Sequence, residues 1–202
     1  MRKFAGDTLL VATHNAGKLD EIAGLLRPRG VRVVGAAEKG LPEPEETEET
    51  FLGNARIKAH AAARASGLPA LADDSGIEID ALGGAPGVHT ADWAETGNGR
   101  DFVRAMARAH DALLASGAGQ PWTARFCCWL VLAWPDGAEA AFSGTVAGRI
   151  VWPMRGDLGH GYDPIFMPDG YDLTFAEMDP AQKNRISHRA VAFAKMVTGC
   201  FD

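Results

Sequence analysis

The chain has 202 residues, 47% hydrophobic and 23% charged, a length and balance that suit one large domain, or two lobes sharing a core, in a globular protein. Its formal net charge of -6 argues against a general nucleic-acid or membrane-surface binder, so any polyanionic substrate must meet a local cluster of cations. The three cysteines, Cys127, Cys128 and Cys200, form neither a disulfide framework nor a zinc spacing and point to a reducing, cytoplasmic setting, while the longest apolar run, 126–134, is too short to span a bilayer.

In chain order, residues 8–12 read as a buried strand and 19–27 as a helix with an apolar stripe of Leu19, Ile22, Ala23, Leu25 and Leu26, stopped by Pro28 and Gly30. Residues 31–34 are a second strand, so the chain opens as an α/β fold. A polar loop over 38–50 carries Glu43, Glu45, Glu46, Glu48 and Glu49, and an alanine-rich helix over 51–66 ends at Gly67. The run 68–72 then predicts a strand that ends in Asp73 and Asp74, turns at Ser75-Gly76 and continues as a second strand from Ile77. A glycine-rich turn over 82–87 leads to a helix over 98–115. Two long strands, 122–134 and 138–151, meet at the turn signal Pro135-Asp136-Gly137. A glycine-rich loop, a short strand at Ile165-Phe166 and a last helix over 187–197, with Ser187 as N-cap, complete the chain. No repeat or linker divides it, so the expectation is a single domain, 1–202, with two lobes.

Four stretches carry candidate chemistry. Asp73 and Asp74 repel one another, so at least one carboxyl pKa should rise unless a cation is present; a hard divalent ion such as Mg²⁺ would remove the conflict, although a plain turn also uses such residues. Thr13-His14-Asn15-Ala16-Gly17-Lys18 lies between strand and helix, where backbone N–H groups favour anions. It is not a Walker A loop, because Ala12 and Leu19 stand where that motif needs Gly and Ser or Thr; an ordinary βα turn with a surface lysine is the other reading. Lys183, Arg185, His188 and Arg189 gather cations at the mouth of the last helix, as a polyphosphate or base contact or simply as capping surface charge. In Gly159-His160-Gly161-Tyr162-Asp163 the glycines permit close backbone approach, and the rings either stack on a base or, for Tyr162, belong to the core. Together these are the parts of an enzyme acting on a nucleoside triphosphate.

Seven segments in this order resemble one family, the inosine triphosphate pyrophosphatases or XTP/dITP diphosphatases. They are Thr13-x-Asn15-x-x-Lys18, the segment from Glu46 to Phe51, Asn54-Ala55 with Lys58-Ala59, Ala72-Asp73-Asp74-Ser75-Gly76, Leu82-Gly83-Gly84-x-Pro86-Gly87, Gly161-Tyr162-Asp163-Pro164 and Ile186-Ser187-His188-Arg189. The resemblance implies a mixed α/β fold with an elongated central sheet and flanking helices, two lobes around a substrate cleft, and a homodimer. It implies Mg²⁺-dependent hydrolysis of ITP, dITP and XTP to the monophosphate and pyrophosphate. By position, residues 13–18 would hold the triphosphate, with Lys58 offsetting its charge. Asp74 would be general base and metal ligand, and Glu46, rather than Glu45, the second acidic metal group. Ser75, His160, Gly161, Tyr162, Asp163, Lys183, His188 and Arg189 would contact the nucleotide. Two positions depart from the family pattern: His160 replaces a usual Phe, and Asp92 stands where an arginine is common. The alternative is a nucleotide-binding regulator of the same fold without turnover.

Overall fold

The computed structural model describes residues 1–14 and 16–202, and the backbone alone of residues 16, 17 and 21. Its elements are β1 (Thr8–Val11), α1 (Ala16–Leu26), β2 (Arg32–Gly35), α2 (Phe51–Ser66), β3 (Ala70–Ile79), β4 (Glu95–Thr96), β5 (Gly99–Arg100), α3 (Phe102–Ser116), β6 (Trp122–Ala133), β7 (Glu139–Ile150), β8 (Phe166–Pro168), α4 (Pro180–Ile186) and α5 (His188–Met196). A six-stranded sheet has the order β2-β1-β3-β6-β7-β8, and β4 pairs with β5 alone. The sheet is mixed: β1 is parallel to β2 and β3, whereas β7 and β8 are antiparallel. The expected α/β class with flanking helices is therefore the one observed.

The chain divides into two compact units. Unit 1 holds residues 1–74, 129–143 and 192–202, and unit 2 holds 75–128 and 144–191, so the boundary cuts β3 at the Asp74–Ser75 peptide bond.

Unit 1 is built on β1, with β2 on one side and β3 on the other. The chain runs β1, α1, β2 and then back past β1 through α2 to β3. Parallel crossovers are right-handed, so moving in opposite directions from β1 puts α1 and α2 on opposite faces of the sheet. The packing agrees. Ala55, Ala59, Ala62 and Ala63 of α2 share one apolar cluster with Leu10 of β1 and Ala70 and Ala72 of β3, while Leu19 of α1 lies against Gly35 of β2. The helix α2 turns one stripe inward, with buried residues at 51, 54, 55, 58, 59, 62 and 63. Thr50 caps it by accepting the Gly53 N–H at 3.0 Å, and Gly67 ends it in the left-handed conformation.

Unit 2 packs α3 against a core that includes Ile77, Ile79, Phe126, Ile150, Tyr162, Phe166 and Phe175. Asp101 caps α3 through the Arg104 N–H at 3.0 Å, and Gly117 closes it.

Four expectations need correction. No turn interrupts residues 70–79: β3 is one ten-residue strand, because Gly76 keeps an ordinary extended φ and nothing forces a reversal. The helix after the glycine turn begins at Phe102, since residues 95–100 form the β4-β5 hairpin. Asp163–Ile165 is a 3-10 turn, and the short strand starts at Phe166. A separate seven-residue helix, α4, precedes the last helix. Asp179 caps α4 by accepting from Ala181 and Gln182, with Pro180 at its first position.

Candidate active site

Unit 1 gathers charge at the carboxyl ends of β1 and β3, where the chain connections diverge; ligands of open α/β sheets favour that position. The β1–β3 register runs to Val11 opposite Leu71, so Asp73 and Asp74 lie beyond the end of β1. Successive strand residues face opposite sides. Asp74 follows Ala70 and Ala72 onto the α2 face and Asp73 takes the α1 face. Each accordingly meets the lysine of its own helix: Lys18 Nζ of α1 lies 3.1 and 3.0 Å from the two oxygens of Asp73, and Lys58 Nζ of α2 lies 3.3 Å from Asp74 Oδ1.

Lys58 also holds Glu46, whose Oε1 is 2.7 Å away. The start of α2 fixes this loop. Asn54, buried and one turn before Lys58, accepts the Glu48 N–H at 2.9 Å. Of the loop glutamates it is Glu46 that pairs with Lys58.

Three carboxylates thus face two ammonium groups, mostly out of water. Burial pushes the Asp74 carboxyl up to about 6, and Glu46 and Asp73 add to the rise against the pull of Lys58 and Lys18. Burial works against the charge of Lys58, but Asp74, Asp73 and Glu46 together raise its pKa. Asp74 Oδ2 is buried with no hydrogen-bond partner among the described residues. A buried carboxylate oxygen without a donor, beside a second carboxylate and in local acidic excess, suits a hard cation. Mg²⁺ takes one or two carboxylates and fills its shell with water and phosphate oxygens, so Asp74 and Glu46 fit its needs.

The remainder of the predicted phosphate loop is partly in view. Thr13 is half-buried after β1, and His14 is exposed with Nε2 3.0 Å from the Leu41 carbonyl oxygen. Asn15 lies outside the described residues. Ala16 and Gly17 contribute the opening backbone of α1.

Unit 2 assembles the other predicted residues. Asp163, 2% exposed, accepts the His160 backbone N–H at 2.7 Å and pairs with Lys183 Nζ. Gly159 has φ +75°, and a Cβ there would collide with the Asp163 carboxylate. Gly161 is also left-handed, at φ +67°. Arg189, at the start of α5, is buried and donates to Ser75 Oγ at 3.3 Å. His188 is buried and stacks on Phe126, with centroids 4.9 Å apart and an interplanar angle of 12°. Of the two readings of Tyr162, the structure gives the core: the residue is 1% exposed, packs edge-on to Phe102 at 6.1 Å, and burial raises its pKa.

Sequence reasoning missed Phe126 altogether and, although it singled out Asp73 and Asn54, gave neither a partner. Asp73 holds Lys18, which required knowing the face of β3. Phe126 backs His188, a contact across 62 positions of sequence with no local signal. Asn54 positions the Glu46 loop. The cap of α4 was readable, since Asp179-Pro180 is a helix-start signature.

The Ham1 family model matches residues 9–199 of this chain. A dITP/XTP pyrophosphatase of Ruegeria pomeroyi is 70% identical over 200 residues, covering 99% of this chain and 98% of its own length. Another, from Rhodospirillum centenum, is 56% identical with the same coverage. Among solved structures, a HAM1 protein of Coxiella burnetii superposes with a TM-score of 0.89 at 38% identity, covering 95% of this chain and 97% of that one.

Proposed function

The chain belongs to the Ham1 family, and we infer from that membership and from the Asp74 cluster that it is a dITP/XTP pyrophosphatase, cleaving deaminated purine nucleoside triphosphates to monophosphate and pyrophosphate. ITP shares the same base as dITP and falls in the same class. The observation that carries this reading is Asp74: a buried carboxyl raised to about 6, one oxygen on Lys58 and the other without a partner among the described residues.

Asp74 accepts the proton of the water that attacks the α-phosphorus; without a metal, burial holds its carboxyl up at about 6, and a bound cation would lower it. Lys58 keeps Glu46 and Asp74 together and, with Lys18, offsets charge on the triphosphate. One such pair at about 4 Å gives roughly 4 kcal/mol of Coulomb energy at an effective dielectric near 20, before desolvation. Thr13, His14, Asn15 and the backbone of Ala16 and Gly17 complete the phosphate-binding loop. Asp74 and Glu46 would hold Mg²⁺, which supplies charge neutralisation and Lewis-acid polarisation of phosphate oxygens when bound.

Unit 2 takes the nucleoside end. Hypoxanthine and xanthine present an oxygen at C6, where adenine presents an amino group. Arg189 and His188 offer N–H donors, so an adenine amino group would leave donor facing donor; sites of this kind discriminate by up to about 10⁴–10⁵-fold. Asp163 holds Lys183 and the loop carrying His160, Gly161 and Tyr162, while Ser75 holds Arg189. His160 takes the position of the family's usual Phe. Among the described residues, no helix is long and apolar enough to cross a membrane. A homodimer and a cytoplasmic setting, with all three cysteines reduced, belong to the same proposal.

The test is pyrophosphate release from dITP, ITP, XTP, ATP and GTP, each with Mg²⁺ and with EDTA. Turnover of the first three well above the last two, lost in EDTA, is expected. Binding of ITP without turnover would refute the enzymatic reading in favour of a silent regulator.

A further inference from the structure

Unit 2 contains a cavity of about 510 Å³ whose walls include Gln120, Arg149, Val151, Trp152 and Arg155. None of these residues has a part in the reaction above. The volume falls in the range of small-ligand sites, roughly 300–1,000 Å³. The two guanidinium groups of this wall meet one sulfur that lies outside the lining: Arg149 reaches Met167 Sδ at 3.9 Å and Arg155 reaches it at 3.3 Å. A thioether is a weak acceptor and carries no charge to offset either group. Arg155 is partly balanced by Glu177 at 3.3 Å and by the Asp172 carbonyl at 3.2 Å. Arg149 pairs with no carboxylate among the described residues, in a chain with 26 acidic side chains against 20 basic ones. Arg155 Nε is buried without an acceptor among the described residues. The Arg149 charge, without a carboxylate, and the Arg155 Nε donor, without an acceptor, would both be matched by an anion in the cavity.

The remaining wall is aromatic. Trp152 is 37% exposed, and its ring lies parallel to His110, with centroids 4.2 Å apart and an interplanar angle of 10°. His110 is in turn edge-on to the buried Trp122 at 5.9 Å. The indole is thereby held in place at the cavity edge.

We propose that this cavity is a second, non-catalytic site for a phosphoryl group, in which Arg149 and Arg155 take the oxyanion and Trp152 forms the planar wall beside it. Guanidinium forks match phosphate geometry, and an indole suits a stacked base. The phosphoryl group is either a free phosphate ion or the phosphate of a nucleotide. The assignment does not depend on the reading of Asp74.

The experiment follows tryptophan emission of the full chain in EDTA during titration with inorganic phosphate and, separately, with inosine monophosphate. A saturable change is expected, lost in Trp152→Phe and untouched by Lys18→Ala. Arg149→Gln shifts the midpoint at least about tenfold, with ITP turnover within about twofold of wild type. Arg149→Lys keeps the charge but not the fork, gives an intermediate midpoint, and serves as the test variant if the glutamine variant does not fold. Monophosphate at least about tenfold tighter than phosphate identifies a nucleotide as the ligand, and equal midpoints identify the free ion. A change that survives Trp152→Phe, disappears in Lys18→Ala, or keeps its midpoint in both Arg149 variants overturns the proposal.

Discussion

Replacing Asp74 with Asn should make the metal-free protein more stable and the enzyme inactive. In the folded chain the Asp74 carboxyl titrates at about 6, against an ordinary 3.8. Below about pH 4 it is protonated whether the chain is folded or not, and costs nothing. Between those values the folded chain keeps a proton that the unfolded chain releases, so stability falls as pH rises. Above 6 the carboxylate is charged in both states, and the full cost of burying it remains. At about 1.4 kcal/mol per tenfold change in proton affinity, that cost is about 3 kcal/mol at pH 7.5 and about half as much at pH 5.0. Asn has the same shape without the charge and avoids it. For a chain of this length, about 3 kcal/mol corresponds to a Tm rise of roughly 6–12 °C. The assay is thermal unfolding of both proteins in EDTA at pH 7.5 and 5.0, paired with pyrophosphate release in Mg²⁺ at pH 7.5. Asn cannot accept the proton of water, so turnover should fall by at least about 10²-fold. A Tm for Asp74→Asn at or below wild type at pH 7.5, or a gain that does not shrink at pH 5.0, would refute the account of a carboxylate held at a cost for function.

Three further outcomes follow from other parts of the structure. Gly159→Ala forces a Cβ onto the Asp163 carboxylate at a positive φ, so steady-state kinetics should show KM for ITP raised at least about tenfold with a smaller change in kcat. Arg189→Ala removes the buried guanidinium that Ser75 holds. The ratio of kcat/KM for ITP over ATP should then drop by about tenfold or more, and an unchanged ratio would count against O6 recognition by this residue. Thr50→Ala removes the cap that accepts the Gly53 N–H at the start of α2; urea unfolding should show a loss of about 1 kcal/mol, and no loss would mean that the cap is redundant.

The sequence by itself determined the elements whose signals are local. Residues 51–66 carry a complete apolar stripe between Thr50 and Gly67, and the helix has those limits. The two long strands around Pro135-Asp136-Gly137 likewise follow from composition and a turn signal. The order of short motifs was enough for the family, because each preserves chemistry at a fixed place in the chain. Even the conflict between adjacent carboxylates was legible, since it needs only their proximity.

What the sequence left open was decided by neighbours distant along the chain. Adjacent residues of a strand face opposite sides, so Asp73 and Asp74 were bound to part; which lysine each would meet depended on the side of the sheet each crossover takes. Ser75-Gly76 looks like a turn in isolation, but the residues lie within one strand of the sheet and stay extended. Tyr162 suits either a base-binding loop or a core by its local sequence; packing against Phe102, sixty positions earlier, puts it in the core. Arg149 and Arg155 are unremarkable charges in the sequence and become a pair only because Met167 lies between their reach. Local pattern fixes what a segment can be; the energies that choose among its options come from burial and charge contributed by the rest of the fold.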